Sequence, residues 1–143
     1  MHATKFYWNE EVVAAMADSL DPDAASVKVP EWTAALARDH LPGNGPDGWR
    51  DLMHAARPLL RSLSSDGIGE DELTRLGCPA LVTVCGDDEI VPRQEAEQLA
   101  KAMPDGRLHV FESCKHALQT MPKQPFVDVT TQFLLSCVSP DAG

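Results

Sequence analysis

The stretch from Cys78 to Leu118 constrains the fold most strongly, because it alternates apolar runs and polar loops at the spacing of a βαβ unit. An apolar strand over Ala80 to Cys85 is followed by an acidic loop and a helix that opens at Pro92. A second apolar strand follows over Arg107 to Glu112. Strand, helix and strand in this order predict neighbouring parallel strands joined by a right-handed crossover. The sequence therefore predicts an α/β fold.

Polar side chains follow both of these strands. Asp87, Asp88 and Glu89 come after the first, and Ser113 to His116 come after the second. One helix and one strand separate the two clusters, so their loops should be neighbours at the carboxyl end of the sheet, where ligands collect in open parallel sheets. A carboxylate bonded to the imidazole would fix its tautomer and stabilise the imidazolium during proton transfer. The alternative is a solvated turn that caps the next helix, beside an ordinary loop histidine.

The N-terminal part of the chain predicts a strand and a series of short helices. Residues 3–8, ATKFYW, have the composition of a strand. Helices are expected to begin at Asn9, Pro22 and Pro30, since Asn is a good N-cap and Pro suits the first turn. Short helices broken by prolines predict a cap over the sheet rather than a simple crossover.

The middle and the end of the chain give further expectations. The breaker cluster at 41–46 predicts a loop, and a strong amphipathic stripe begins at Trp49, which Pro58 should kink or interrupt. Ser62 to Gly69 predict a flexible polar connection. The final helix is expected from about Lys123 to Cys137.

Charge and composition exclude some classes of function. The formal net charge is −10, with 22 acidic against 12 Lys and Arg residues, which argues against a nucleic-acid partner. No apolar run approaches the roughly 18 residues of a membrane span, and the N-terminus lacks the apolar run of a signal peptide. We therefore expect no membrane span and a cytoplasmic location.

The potential metal ligands are scattered. The four cysteines show no CxxC spacing and the five histidines show no HExxH pairing, so we expect no metal and no cofactor. Cysteines in or beside apolar strands are usually buried thiols. We expect Cys78, Cys85, Cys114 and Cys137 to be reduced.

The sequence PALVTVCGDDEIVPRQEAEQLAKAMPDGRLHVFESCKHAL resembles the C-terminal segment of α/β-hydrolases of the lipase, esterase and haloalkane-dehalogenase superfamily. Ala3 to Leu76 are similar to the end of that fold's sixth strand followed by its helical cap. The resemblance implies a partial α/β-hydrolase fold with about three parallel strands (the end of the sixth, the seventh and the eighth), flanking helices and a helical cap. The implied division is a strand end plus cap over 1–76, a core over 77–138 and a frayed tail over 139–143.

The resemblance also implies roles for single residues. His116 matches the general base. Counting back from Ile90-Val91-Pro92 selects Asp88 as the acid, whereas counting forward from Gly86 would select Glu89. Asp87 is then a loop or capping residue.

The cap supplies candidates for substrate binding. In this architecture the inner face of the cap lines the acyl site, which implies a substrate-binding role for Trp32, Trp49 and Met53. The alternative is that these residues are core.

The family's nucleophile sits in G-x-S-x-G, and residues 1–143 do not contain that pattern. Ser64 and Ser65 do not follow a strand, and Cys114 lies next to His116 only in sequence. We therefore expect the C-terminal part of a hydrolase for small acyl or ester substrates, inactive alone and active only if a missing half completes it.

A second hypothesis is an interaction module. An unpaired strand near Ala3 to Trp8 would invite association, because a sheet edge presents free backbone groups. It predicts a homo-oligomer, or a partner chain that carries the missing strands.

Overall fold

The computed structural model describes residues 1–66 and 68–138. The chain forms two compact units. Met1–Tyr7 and the chain from Ile68 onward form one, which we call the sheet unit, and the segment that begins at Trp8 forms the other, the helical unit. Residues 139–143, for which a frayed tail is predicted, lie outside the described residues.

The elements follow one another in the order that the sequence predicts for most of the chain. They are α1 (Glu10–Ser19), α2 (Pro22–Lys28), α3 (Pro30–Asn44), α4 (Gly48–Asp66), α5 (Glu70–Leu73), β1 (Ala80–Cys85), α6 (Arg93–Ala102), β2 (Gly106–Phe111), a 3-10 turn (Leu118–Thr120) and α7 (Lys123–Val138). The helices α1 to α4 lie in the helical unit, and the remaining elements lie in the sheet unit.

The sheet unit is built on β1 and β2, which pair in parallel from Ala80 opposite Gly106 to Cys85 opposite Phe111. From Val82 to Cys85, β1 is buried at every residue, as expected for a strand covered on both faces. Val82 and Val84 pack in one apolar cluster with residues of α6 such as Leu99. Cys85 and Phe111 pack in a second cluster, against which residues of α7 such as Phe126 lie.

The strand predicted over residues 3–8 is wrong. Pairing with the outer edge of β1 occurs instead at a parallel bridge between His2 and Thr83, where Thr83 N donates to Met1 O and Ala3 N donates to Thr83 O. The buried carboxylate of Glu95 accepts hydrogen bonds from the backbone N–H groups of Phe6 and Tyr7 at 2.9 and 3.0 Å. The Glu95 side chain therefore accepts hydrogen bonds from backbone N–H groups that would otherwise have bonded to a neighbouring strand.

The helical unit has a small core of its own. Ala25, Trp49 and Met53 are buried together. Three helices begin as predicted, α1 after Asn9, α2 at Pro22 and α3 at Pro30. Asn9 accepts from Val12 N at 2.8 Å, and Asp21 accepts from Ala24 N at 2.9 Å.

Two predicted loops in this unit, at 41–46 and from Ser62, are helical over most of their length, and the helix predicted to be kinked or interrupted at Pro58 is not interrupted there. α3 continues through Pro42 and ends at Asn44, and the following Gly45 has a φ of 75°, a left-handed backbone that glycine adopts readily. α4 runs from Gly48 to Asp66, so Pro58 does not interrupt it and the connection predicted from Ser62 is helical up to Asp66. Tertiary packing of an amphipathic face supplies most of the stability of a helix in a protein, and it outweighs these local breakers.

No helix in the described ranges combines the length and apolarity needed to cross a bilayer.

Candidate functional site

The acid loop begins where β1 ends. After Cys85 and Gly86 the chain turns so that the Oδ1 atom of Asp88 accepts hydrogen bonds from Ile90 N at 2.9 Å and Val91 N at 2.7 Å. The side chain of Asp88 is only 1% exposed. A buried carboxylate has to be hydrogen-bonded, and these backbone donors fix its position within the loop.

The histidine loop begins where β2 ends. Ser113 has a φ of 59°, a left-handed conformation that turns the backbone sharply after the strand. His116 follows three residues later, and its side chain is 34% exposed. Thr120 organises this loop: its Oγ1 accepts from Lys115 N at 2.9 Å and lies 3.0 Å from Lys115 O and 2.8 Å from Ala117 O.

The two loops meet at one contact. The Nδ1 atom of His116 lies 3.1 Å from each carboxylate oxygen of Asp88. A proton on Nδ1 can be donated to the carboxylate, which leaves Nε2 with a lone pair. In the described ranges we find no hydrogen bond to Nε2 of His116. The ring is therefore arranged to accept a proton at Nε2 and to have the resulting imidazolium stabilised by Asp88.

The neighbouring acids contact the histidine loop differently. Asp87 is exposed, and its backbone N–H donates to the carbonyl of Cys114 at 3.0 Å. Glu89 is also exposed, and its Oε2 accepts from the backbone N–H of His116 at 3.4 Å. Of the three acids considered from the sequence, Asp88 is therefore the one whose carboxylate meets the imidazole.

The expectation that all four cysteines are reduced is wrong. Cys85 and Cys114 form a disulfide with their Cα atoms 5.0 Å apart, while Cys78 and Cys137 are exposed thiols. The pairing arises because Cys85 is the last residue of β1 and Cys114 lies three positions beyond the end of β2, where the two paired strands hold their following loops together. The signal in the sequence is that the two cysteines are 29 residues apart, almost the separation of Asp88 and His116.

His2 is a second residue near the site that no pattern in the sequence singles out. Its Nδ1 lies 2.8 Å from Thr83 Oγ1, and its Nε2 is buried without a hydrogen-bond partner. Burial lowers the pKa of His2 below the ordinary value for imidazole, although the charge of Asp88 opposes this effect. A neutral ring is thus favoured here, in the field of the Asp88 carboxylate.

The three predicted substrate-binding residues all lie in the helical unit. Trp49 and Met53 are 6% and 5% exposed in its core. Trp32 is 44% exposed on α3. Within the part of the chain that the structure describes, no group of three or more His, Cys, Asp and Glu side chains could hold a metal ion.

Comparisons with known proteins give a family match and several relatives. The profile of the Alpha/beta hydrolase family matches residues 5–129. A protein named "Putative carbamate hydrolase RutD", from Pseudomonas savastanoi pv. phaseolicola (strain 1448A / Race 6), is 35% identical over 65 residues, which are 46% of this chain and 25% of RutD.

Two solved structures resemble the chain in fold. "Crystal Structure of Putative non-heme bromoperoxidase BpoC from Mycobacterium tuberculosis H37Rv" superposes with a TM-score of 0.60 at 17% identity, over 95% of this chain and 56% of BpoC. The esterase RhEst1 from Rhodococcus sp. ECU1013 superposes with a TM-score of 0.50 at 20% identity, over 85% of this chain and 48% of RhEst1. The chain thus spans a quarter of RutD and about half of each solved structure.

Proposed function

Because the chain belongs to the alpha/beta hydrolase family, we propose that Asp88 and His116 are the acid and the general base of a hydrolytic triad for ester-type acyl substrates. The observation that carries this proposal is the contact of His116 Nδ1 with both oxygens of a carboxylate that is 1% exposed. RutD, whose name states carbamate hydrolysis, supports the reaction class, since a carbamate is also cleaved at a carbonyl carbon.

The proposed chemistry begins with proton transfer to Nε2 of His116. This atom takes the proton of a nucleophilic hydroxyl as the oxygen attacks the substrate carbonyl, and it then protonates the leaving group. Asp88 keeps the proton on Nδ1 and stabilises the imidazolium between these steps. Water repeats the sequence in place of the first nucleophile and releases the acid.

We further propose that residues 1–143 do not supply the nucleophile. They contain no G-x-S-x-G, the pattern that exposes the family's serine on a tight turn. Ser64 and Ser65 lie on α4, where their hydroxyls donate to the carbonyls of Arg61 and Ser62. Cys114 has no free thiol because it is bonded to Cys85.

The test is hydrolysis of a p-nitrophenyl ester by the pure 143-residue chain, alone and mixed with a polypeptide that carries a strand, G-x-S-x-G and a helix. We expect no turnover above buffer from the chain alone. In the mixture we expect turnover that His116→Gln abolishes and that Asp88→Asn lowers on the order of a thousand-fold to ten-thousand-fold, as for the loss of a triad acid.

Asp87→Asn is the matched control, because it removes a neighbouring carboxylate that does not contact the imidazole. Turnover in the mixture that survives Asp88→Asn but not Asp87→Asn would overturn the choice of acid. Turnover by the chain alone that disappears in His116→Gln would overturn the statement about the nucleophile.

A second candidate function is association through the open edge of the sheet. Beyond β1 the edge is continued only by the bridge at His2, within the described residues. A groove of about 380 Å³ lies there, lined by residues that include His2, Leu81 and Phe133. Along α7, apolar side chains are exposed at Val127, Leu134, Leu135 and Val138. An open edge beside exposed apolar side chains favours a further strand and helix from a second copy or a partner chain.

Sedimentation velocity across the micromolar range tests this candidate. We expect mass above that of the 15.6 kDa monomer at high concentration, and its loss in Leu134→Glu. Leu59→Glu, at a residue that is 65% exposed on α4, is the control. A monomer at every concentration would count against association between copies.

A further inference from the structure

The acid loop and the histidine loop are joined covalently by the Cys85–Cys114 disulfide. Cys85 is the last residue of β1, three positions before Asp88, and Cys114 is two positions before His116. Both cysteines are buried, with exposures of 0% and 2%. The bridge therefore lies at the base of the two loops whose side chains form the acid–histidine contact.

Each half of that contact is fixed within its own loop. Asp88 is held by the N–H groups of Ile90 and Val91, and the backbone beside His116 is held by Thr120. The distance between the carboxylate and the ring therefore depends on how the two loops are held against each other.

Apart from the Asp88–His116 contact itself, few hydrogen bonds between described residues join the loops beyond the last strand pair. Gly86 N donates to Phe111 O at 2.8 Å, and Asp87 N donates to Cys114 O at 3.0 Å. The third is the long contact of 3.4 Å from His116 N to the exposed Glu89 carboxylate. Water competes with hydrogen bonds at exposed groups, so their net contribution is small. The disulfide is buried and covalent, so it is the strongest connection between the loops.

We propose that the Cys85–Cys114 disulfide is a positioning element of the Asp88–His116 pair. While the bridge is closed, the histidine loop keeps Nδ1 of His116 at the carboxylate. When it is opened, the histidine loop moves relative to the acid loop and the ring is no longer held in one tautomer. The catalytic meaning of this inference rests on the proposed function, whereas its geometric content does not.

Opening the bridge is a two-electron reduction. A dithiol attacks one sulfur, the Cys85–Cys114 bond breaks, and a mixed disulfide forms. The second thiol of the reagent then closes a ring on itself and releases both cysteines as thiols, with two protons transferred from the reagent. Cys85 and Cys114 are positioning residues in this scheme, since neither contacts a reacting atom.

The test reads the tautomer of His116 from the ¹⁵N shifts of its ring, recorded at a pH above which those shifts no longer change. His116→Gln identifies the signals, and Asp88→Asn gives the spectrum of a ring without the carboxylate. We expect the oxidised chain to show the proton on Nδ1. Cys85→Ala/Cys114→Ala should move the shifts at least half of the way towards the Asp88→Asn spectrum.

The matched control is Cys78→Ala/Cys137→Ala, which removes the two exposed thiols and should leave the His116 signals unchanged. If the alanine pair does not fold, Cys85→Ala/Cys114→Val restores apolar volume, and the wild-type chain opened by dithiothreitol needs no substitution. Unchanged His116 shifts in a folded chain that lacks the bridge would overturn the proposal.

Failure of the positioning role can be distinguished from failure of the proposed hydrolase function. A tautomer change on opening the bridge, with no ester turnover in any mixture, would retain the positioning role and reject the hydrolase role. Turnover that depends on His116 but not on the bridge would retain the hydrolase role and reject the positioning role.

Discussion

The sheet unit and the helical unit differ in what their polar side chains do. In the sheet unit, the polar groups of Asp88, His116 and Glu95 are turned inward onto specific partners, and two loops converge on one contact. In the helical unit, each ion pair among the described residues has at least one exposed partner, such as Asp23, whose side chain is 89% exposed and pairs with Arg50. Exposed pairs contribute little to stability, so this unit depends on its apolar core.

The difference indicates where sequence change is tolerated. The register of β1 and β2 is fixed, so a movement of either following loop changes the distance between Asp88 and His116 directly. In the helical unit, no hydrogen bond between a carboxylate and a histidine side chain is found among the described residues. Substitutions in the two units should therefore affect different measurements.

Gly106→Ala should have the largest effect. A Cβ at the first residue of β2 would lie 1.9 Å from Ala100 O and 3.1 Å from Met103 Cβ, so α6 and β2 could not keep their approach. We expect the free energy of unfolding of the sheet unit to fall by at least about 3 kcal/mol. Hydrogen exchange at the amides of β1 measures it.

Gly77→Ala is the control, because no atom lies within 4 Å of its added Cβ. All three tryptophans lie in the helical unit, so their fluorescence reports on the unfolding of that unit. An unchanged fluorescence transition in Gly106→Ala would show that the units unfold separately. Unchanged exchange in β1 would contradict the prediction.

Met53→Ala should have the next largest effect, in the other unit. Met53 is 5% exposed and packs with Trp49 and Ala25, so truncation leaves a cavity. We expect a loss of about 2–5 kcal/mol in urea unfolding followed by tryptophan fluorescence.

Leu59→Ala provides the matched control for Met53, since Leu59 is 65% exposed on the same helix. Its effect should stay within about 0.5 kcal/mol. If both variants were equally mild, Met53 would not be core, and the substrate-binding interpretation of this residue would gain support.

The sequence predicted the local features of both units. β1 has the predicted bounds, and β2 begins and ends one residue before its predicted range, because apolar runs between turn residues are local signals. Asn9 and Pro22 marked helix starts for the same reason. The spacing of Asp88 and His116 also sufficed to place their loops side by side.

The features that sequence reasoning missed are long-range. Residues 3–8 have strand composition, but Glu95, about 90 positions later, takes the N–H groups of Phe6 and Tyr7. The Cys85–Cys114 pairing likewise depends on a register that the sequence does not state. α4 continues through Pro58 since packing elsewhere on the helix outweighs one lost hydrogen bond.

A smaller effect is expected from the titration of Asp21 in the helical unit. The hydrogen bond from Ala24 N lowers the pKa of Asp21 from its ordinary value of 3.8, with help from Asp23 N and the charge of Arg57. Because the pKa is lower in the folded chain, the stabilisation is complete above the unfolded pKa and is lost as pH falls through the folded pKa.

Asp21→Asn sharpens this prediction, because Asn also caps helices but does not titrate in this range. Urea midpoints from tryptophan fluorescence should fall between about pH 5 and pH 2 more steeply in the wild type than in the variant. Parallel slopes would show that the charge of Asp21 is not what stabilises α2. Exchange at the β1 amides should not distinguish the two proteins at any pH.

The smallest effect is expected at Ser113, where the sheet unit holds a non-glycine residue at a φ of 59°. A left-handed conformation costs an L-residue roughly 1–2 kcal/mol, but glycine loses more backbone entropy on folding. Ser113 is exposed, so its replacement removes little packing. Ser113→Gly should therefore be neutral or stabilising by up to about 1 kcal/mol, whereas Ser113→Val should destabilise by about 1–2 kcal/mol, both measured by β1 exchange.

A clear difference between the two variants would mean that the backbone turn at Ser113 helps to place the histidine loop. Equal stabilities would mean that the loop is placed by its connections to the acid loop, chiefly the Cys85–Cys114 bridge, and that the precision of the sheet unit comes from cross-links rather than from local conformation.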